Sequence, residues 1–247
     1  MNYFKILLTA MSMLLLPTTK LSAQFQNTRV AKEKNMTMED YNRLSVSFAA
    51  EVGKSDLALG QDETGKGVSF GYAHGKNIVN GDFPLYLEYG FDATWLHFND
   101  TDESEDYGYY GNYKEKHEVK LNLVSVSIPL NLTYIFSLAD GKYEFAPFAG
   151  LNFKFHVIGR GKDEFTKEYS NSRYDDESGT NKYNIFDEDD MGGTSAKRFQ
   201  IGMNLGFNIY KGRFSFGYRF QPDFTKIYDD ELPTKTKTNM VSIGIKY

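Results

Sequence analysis

From Leu44 onward the chain alternates large apolar residues with small or polar ones in eight separate stretches. Alternation with a period of two is the signature of a β-strand whose two faces meet different surroundings. The apolar phases are Leu44–Val52, Val68–Tyr72, Leu85–Trp95, Val124–Tyr134, Tyr143–Phe155, Ile201–Ile209, Phe214–Phe220 and Val241–Tyr247. In the fourth stretch Val119, Leu121 and Leu123 lie on the opposite parity to Val124 and its successors. A β-bulge at Leu123-Val124 is the expectation there, because one extra residue restores the phase.

The second face separates two architectures. A soluble sheet shows water a face of Lys, Glu, Thr and Arg and buries its large residues. Here the smaller phase is mostly Ser, Gly, Ala and Asn, with isolated charges, and the opposite phase is bulky and almost free of charge. Small polar residues suit a crowded barrel lumen, and an uncharged bulky phase suits lipid. The connections alternate in length. Gly75 to Asp82, Ala139 to Lys142, and Tyr210-Lys211-Gly212 are short, whereas Gly53 to Gly67, Asn99 to Glu118, Gly159 to Lys197 and Pro222 to Thr238 are long. The expected fold is all-β: an eight-stranded antiparallel up-and-down transmembrane β-barrel with long extracellular loops and short periplasmic turns. Candidates for its interfacial aromatic girdles are Trp95, Phe98, Tyr134, Phe136, Tyr143, Phe155, Tyr210, Phe220 and Tyr247.

The first 23 residues have the form of a signal peptide. Lys5 supplies the positive end, Ile6 to Leu16 an apolar stretch too short to span a bilayer, and Leu21-Ser22-Ala23 a small-residue cleavage site. Residues 24–42 read as a periplasmic N-terminal segment and residues 43–247 as the barrel domain. The bacterial outer membrane is therefore the expected location.

Composition narrows the chemistry. The absence of cysteine removes disulfides, thiolate sites and a lipoprotein anchor. The net charge of −5, which becomes more negative once Lys5 and Lys20 leave with the signal peptide, argues against a nucleic-acid partner.

Two strand motifs, Ser125 to Tyr134 and Tyr143 to Gly150, resemble those of the Bacteroidetes outer-membrane β-barrel family often called PorT-like, an OmpA-like eight-stranded barrel. The stretch Ser125-Val126-Ser127-Ile128-Pro129-Leu130-Asn131-Leu132-Thr133-Tyr134 resembles its Ile-Pro-Leu strand. Tyr143-Glu144-Phe145-Ala146-Pro147-Phe148-Ala149-Gly150 is similar to its Pro-aromatic-Gly strand. The closing residues Val241, Ile243, Ile245 and Tyr247 resemble the C-terminal signal read by the barrel assembly machinery, which the resemblance implies as a partner during biogenesis. The resemblance implies fold and compartment, brings a role as an accessory for secretion or envelope assembly into view, and supplies no catalytic residues.

Specific chemistry is sparse. His74, His97, His117 and His156 have no metal-ligand spacing. A lipid hydrolase would need a Ser/His pair near His97, but Ser125 and Ser127 lie on the inward phase. Acidic runs at Asp100–Asp106, Asp175–Glu177, Asp187–Asp190 and Asp229–Glu231, with Tyr107, Tyr109, Tyr110 and Tyr113 beside the first, read as solvated loop segments. They lack EF-hand spacing and make the loops candidate contact surfaces for an external ligand or protein. No cofactor motif is present, and no catalytic or metal-ligating residue is assigned.

The charges on the lumen phase are Glu51, Glu88, Asp92, Glu144, Lys154, Arg219 and Lys246. Unpaired charge in a narrow lumen is costly, so these residues are expected to form a network, with Arg219 shared by Glu88 and Asp92. The leading expectation is a non-enzymatic structural or interaction module with a filled lumen and outer-membrane lipid around it. A small-solute channel and a lipid-modifying enzyme are further alternatives to the secretion accessory.

Overall fold

A computed structural model describes residues 39–54, 62–79, 83–108, 111–139, 141–170, 175–191, 195–227 and 235–247. The chain divides into two units, Met1–Glu39 and Asp40–Tyr247. The expected signal peptide, most of the 24–42 segment and the acidic run Asp229–Glu231 lie outside the described residues.

Among the described residues ten strands form one sheet: β1 (Tyr41–Lys54), β2 (Asp62–Asn77), β3 (Leu85–Gly108), β4 (Gly111–Tyr134), β5 (Phe136–Leu138), β6 (Tyr143–Tyr169), β7 (Glu177–Asn184), β8 (Phe199–Lys211), β9 (Phe214–Pro222) and β10 (Thr236–Lys246). Every pairing is antiparallel, β1 pairs with β10, and β4 pairs with β6, so the sheet closes on itself. The short β5 continues the line of β4 beside β6, and β7 pairs only with β6. The wall is thus eight-stranded, as the eight alternating stretches require. β1 begins at Tyr41, two residues before the expected domain boundary. Asn42 and Tyr247 exchange backbone hydrogen bonds of 2.8 and 2.9 Å where first and last strands meet.

One row of cross-strand partners shows how the barrel is built. It starts at Pro147 on β6 and passes through Phe207, Tyr218, Val241, Phe48, Val68, Trp95 and Val124. It returns to β6 at Ile158, further up the strand from Pro147. Such a stagger is the shear that accompanies tilted strands in a closed barrel. Every residue on the row is apolar or aromatic, so a continuous hydrophobic stripe winds around the outside. Phe70, Trp95 and Ile243 are 58%, 46% and 66% exposed, although large apolar residues of this kind normally seek a core. Lipid is the solvent that accounts for the reversal. Near the end of the barrel that carries the short turns, Phe83, Tyr134, Phe136, Phe145, Phe207 and Tyr218 form a chain of ring contacts with centroids 4.4–6.4 Å apart. Two of the girdle candidates belong elsewhere: Phe98 and Tyr210 face inward and are buried. Each lies on the lumen parity of its strand, so aromatic character near a strand end was a poorer guide than phase.

The short turns follow local rules. Gly212 and Arg213 join β8 to β9, with Gly212 at φ +59°, a left-handed conformation that costs a glycine little.

Two sequence expectations need correction. First, the segments around Asn99–Glu118 and Gly159–Lys197 are not simply long loops. β3, β4 and β6 continue far past the apolar stripe, and β7 pairs with the outer half of β6. Their polar residues pair in strands because water, not lipid, faces them there. Second, β4 has no bulge at Leu123-Val124, since its pairing with β3 runs in unbroken register from Leu96–Leu123 to Thr94–Ser125. The register shift lies in the β4–β6 pairing, where Val124 faces Ile158 and Ser125 faces His156, leaving Val157 as the extra residue on β6. Val157 and Ile158 consequently both face outward. On β4 the parity of the strand is constant, and the apolar phase changes side because the solvent changes. Leu121 and Leu123 face inward and pack with Ala49, Leu96, Phe98 and Met240, and with Ile185, Ala196 and Ile227 from the returning segments.

Candidate functional site

Two features hold the chemistry: the lumen and the outer sheet. The lumen phase carries small residues because polar pairs must fit between the walls. At Gly71 an added Cβ would sit 2.3 Å from an Asp92 carboxylate oxygen.

From the outer end inward, the lumen begins with the apolar cluster just described, formed partly by Ile185, Ala196 and Ile227 from the connections. His156 and Gln200 follow, 2.7 Å apart. Next, the Lys154 ammonium donates to Glu51 at 3.1 Å and to Asp223 at 2.8 Å. Thr238 donates to the same Glu51 oxygen at 2.7 Å, and Thr236 donates to Asp223. An amide layer comes next: Gln221 donates to Asn204 at 2.7 Å, and Asn204 donates to Asn131 at 3.1 Å. Arg219 pairs with Asp92. Arg43 donates to Glu88 at 2.9 Å and to Asn208 at 3.1 Å, and Tyr41 donates to Glu88 at 3.0 Å. Lys246 meets Glu144 near the end with the short turns.

The candidate lumen residues Glu51, Glu88, Asp92, Lys154, Arg219 and Lys246 all face inward. The structure sets Glu51 beside Lys154, Asp92 beside Arg219, and Lys246 beside Glu144. It does not make Arg219 the bridge between Asp92 and Glu88, because Arg43 on β1 occupies that role for Glu88. Sequence reasoning missed Arg43 and Asp223. Both could have been found by extending the phase one step: Arg43 shares the parity of Ser45, Ser47 and Glu51, and Asp223 that of Ser215, Arg219 and Gln221.

Val241, Ile243, Ile245 and Tyr247 alternate outward on the exposed face of the last strand. His97 bonds Asn122 across β3 and β4 at 3.1 Å. Ser125 and Ser127 are buried on the other side of the wall. Among the described residues His97 therefore has no serine beside it on the lipid side. Among the described residues no three His, Asp or Glu side chains gather as a metal site. The run beginning at Asp100 is divided between the two faces of β3, where Glu103 pairs with Lys116 at 3.3 Å and Glu105 approaches Lys114 at 3.9 Å. Asp190 accepts from the Asn184 backbone N–H at 2.8 Å, closing the turn after β7.

The outer sheet is β3–β4–β6–β7. On its outward face Lys120 lies 2.9 Å from Glu118 and 3.2 Å from Glu164, and Lys162 lies 2.6 Å from Glu164. Hydrogen bonds from Lys162 and Lys120 hold the Glu164 carboxyl below the usual range, and those to Glu118 and Glu164 raise Lys120. On the opposite face His117 lies against Phe165, and Lys167 sits 4.2 Å over the Tyr113 ring.

No family model matches the chain. No curated protein matches it either. Solved structures with a likeness include Ail, the attachment invasion locus protein of Yersinia pestis, in complex with the heparin analogue sucrose octasulfate. It is 13% identical over 85% of this chain and 99% of its own, with a TM-score of 0.35. Neisserial surface protein A is 13% identical over 84% of this chain and 97% of its own, with a TM-score of 0.39. A major outer membrane protein from Thermus thermophilus is 12% identical over 83% of this chain and 99% of its own, with a TM-score of 0.32. The assignment of compartment rests on this chain's own geometry. A closed antiparallel barrel, apolar outside and polar within, with short turns at one end and long projections at the other, is an outer-membrane β-barrel.

Proposed function

We propose that this barrel is a non-enzymatic interaction module that holds a paired, highly charged sheet above the outer surface of the membrane. The observation that carries the reading is the continuation of β3, β4 and β6 beyond the apolar stripe, completed by β7. A strand pair held in register by cross-strand contacts keeps its side chains in fixed relative positions, which suits recognition. The filled lumen supports a scaffold rather than a conduit. Its paired charges and the apolar cluster at its outer end occupy the space that a solute would cross. A PorT-like role in secretion or envelope assembly would use the same sheet, and its support is confined to the motifs on β4 and β6. Recognition of Val241, Ile243, Ile245 and Tyr247 by the assembly machinery belongs to this reading as well.

The test is to replace residues 100–117 and 164–181 with short turns in the producing bacterium. The trimmed barrel should still reach the outer membrane and migrate as a folded, heat-modifiable species, while the strain should show the phenotype of the full gene deletion. Complete complementation by the trimmed protein would place the function in the barrel instead. Orientation is checked separately. The chain lacks cysteine, so Ser178→Cys should react with an impermeant maleimide on intact cells and Ser137→Cys should not.

A further inference from the structure

The outward face changes chemistry abruptly along one row. Val68, Trp95, Val124 and Ile158 are consecutive cross-strand partners and form the last apolar row on β2, β3, β4 and β6. One step further along the same face stand Lys66, His97, Asn122 and Arg160, again consecutive partners, with Asn184 of β7 beside Arg160. The row beyond is Asn99, Lys120, Lys162 and Lys182. These two rows contain Lys66, Arg160, Lys120, Lys162 and Lys182 and no carboxylate. The next row adds Glu118 and Glu164, which are engaged with Lys120 and Lys162. Lys66, Arg160 and Lys182 make no ion pair with any described residue. A chain of net charge −5 thus places a cationic band directly against its hydrophobic stripe.

Neighbouring strands are about 4.8 Å apart, so Lys66 and Arg160, three strand spacings apart, are separated by roughly 14 Å along the row. Cations beside a lipid-facing surface meet the headgroup layer, and Lys and Arg bind phosphate there by charge and hydrogen bonding. The asparagines between them add amide groups able to bond phosphate or sugar oxygens.

We propose that the Lys66–Arg160 band, with Lys182 behind it, is a binding site for the phosphate groups of an outer-leaflet phosphorylated glycolipid. The site holds the lipid against Trp95 and Val124, with the headgroup on the band and the acyl chains on the apolar row. This goes beyond the interaction role of the sheet but rests on the same membrane placement. The binding experiment is made in a bilayer where orientation in the cell plays no part, so its failure is separable from failure of the surface labelling.

The full chain is placed in phosphatidylcholine nanodiscs with a small fraction of fluorescent lipid A, either carrying its two phosphates or enzymatically dephosphorylated. Energy transfer from Trp95, the single tryptophan, reports lipid held at the row. Transfer should exceed random mixing with the phosphorylated lipid and fall to it with the dephosphorylated one. Each cation near the surface contributes roughly fivefold, so Lys66→Gln with Arg160→Gln should weaken enrichment by about twenty-five-fold. Lys116→Gln, which removes the partner of Glu103 further out, should leave it unchanged. Equal transfer from both lipids, or full enrichment by a folded double variant, would overturn the proposal. So would complete competition by excess inorganic phosphate, which would show a free-anion site without need of lipid.

Discussion

Replacing Lys154 with Met is the sharpest probe of the lumen. The Lys154 side chain is 5% exposed, and its partners Glu51 and Asp223 are 2% and 0% exposed. Removing the ammonium leaves two buried carboxylates with only the Thr238 and Thr236 hydroxyls as donors among these contacts. Breaking a buried pair from one side costs about 3–5 kcal/mol, because the remaining charge has lost its compensation. The effect should therefore be far larger than loss of an exposed pair such as Lys116–Glu103, which contributes about 1 kcal/mol or less. The assay is urea unfolding of the protein in phospholipid vesicles, followed by Trp95 fluorescence. Trp95 faces outward, so unfolding transfers it from lipid to water. The midpoint should fall with little change in slope, which marks a change in stability rather than in the surface exposed. Adding Glu51→Gln and Asp223→Asn to Lys154→Met should recover most of the loss, since neutral amides keep hydrogen-bonding capacity without uncompensated charge. A loss below about 1 kcal/mol in the single variant, or a triple variant as unstable as the single, would refute the view that the cluster is a charge-compensated unit.

Three other outcomes follow from the same geometry. Leu130→Arg, on the lipid-facing phase, should cost about 2–4 kcal/mol at mid-membrane, while Ser178→Arg on exposed β7 should be nearly silent; equal tolerance in a refolding assay would contradict the lipid-facing assignment. Deleting Tyr247 removes the backbone bonds with Asn42 that join β10 to β1, so barrel accumulation in the outer membrane should drop; normal levels of heat-modifiable protein would show the residue to be dispensable. In a planar bilayer the purified protein should show no sustained porin-like current, and Arg219→Ala, which frees Asp92, should destabilise it and raise brief events; a steady large conductance in the unaltered protein would overturn the filled-lumen model.

How much of this was legible in the chain depends on the range of the interaction. The period-two pattern fixes which residues of a strand share a face, because successive side chains point to opposite sides. That local rule was enough for the eight wall strands, for the outward placement of Val126, Ile128 and Leu130, and for the inward placement of Glu88 and Lys154. Carried one period further, it would also have reached Arg43 and Asp223. It could not decide which inward charges meet, since partners such as Arg43 and Glu88, or Lys154 and Glu51, are brought together by closure and stagger rather than by sequence spacing.

The pattern also misled where the solvent changed. In β4 the large residues move from the outward parity at Val124 to the inward parity at Leu123, which resembles a slip in the strand while the backbone register continues unbroken. The sequence by itself determined the strands, their two faces and the apolar band that lipid must cover. Only the tertiary structure decided where that band ends, because β3, β4 and β6 pair past it with water on one side and an apolar cluster on the other. It also showed that the run beginning at Asp100 pairs as a strand and that a band of cations stands between that run and the lipid-facing row. Strand pairing brings distant segments level with one another, and a linear pattern contains no measure of that height.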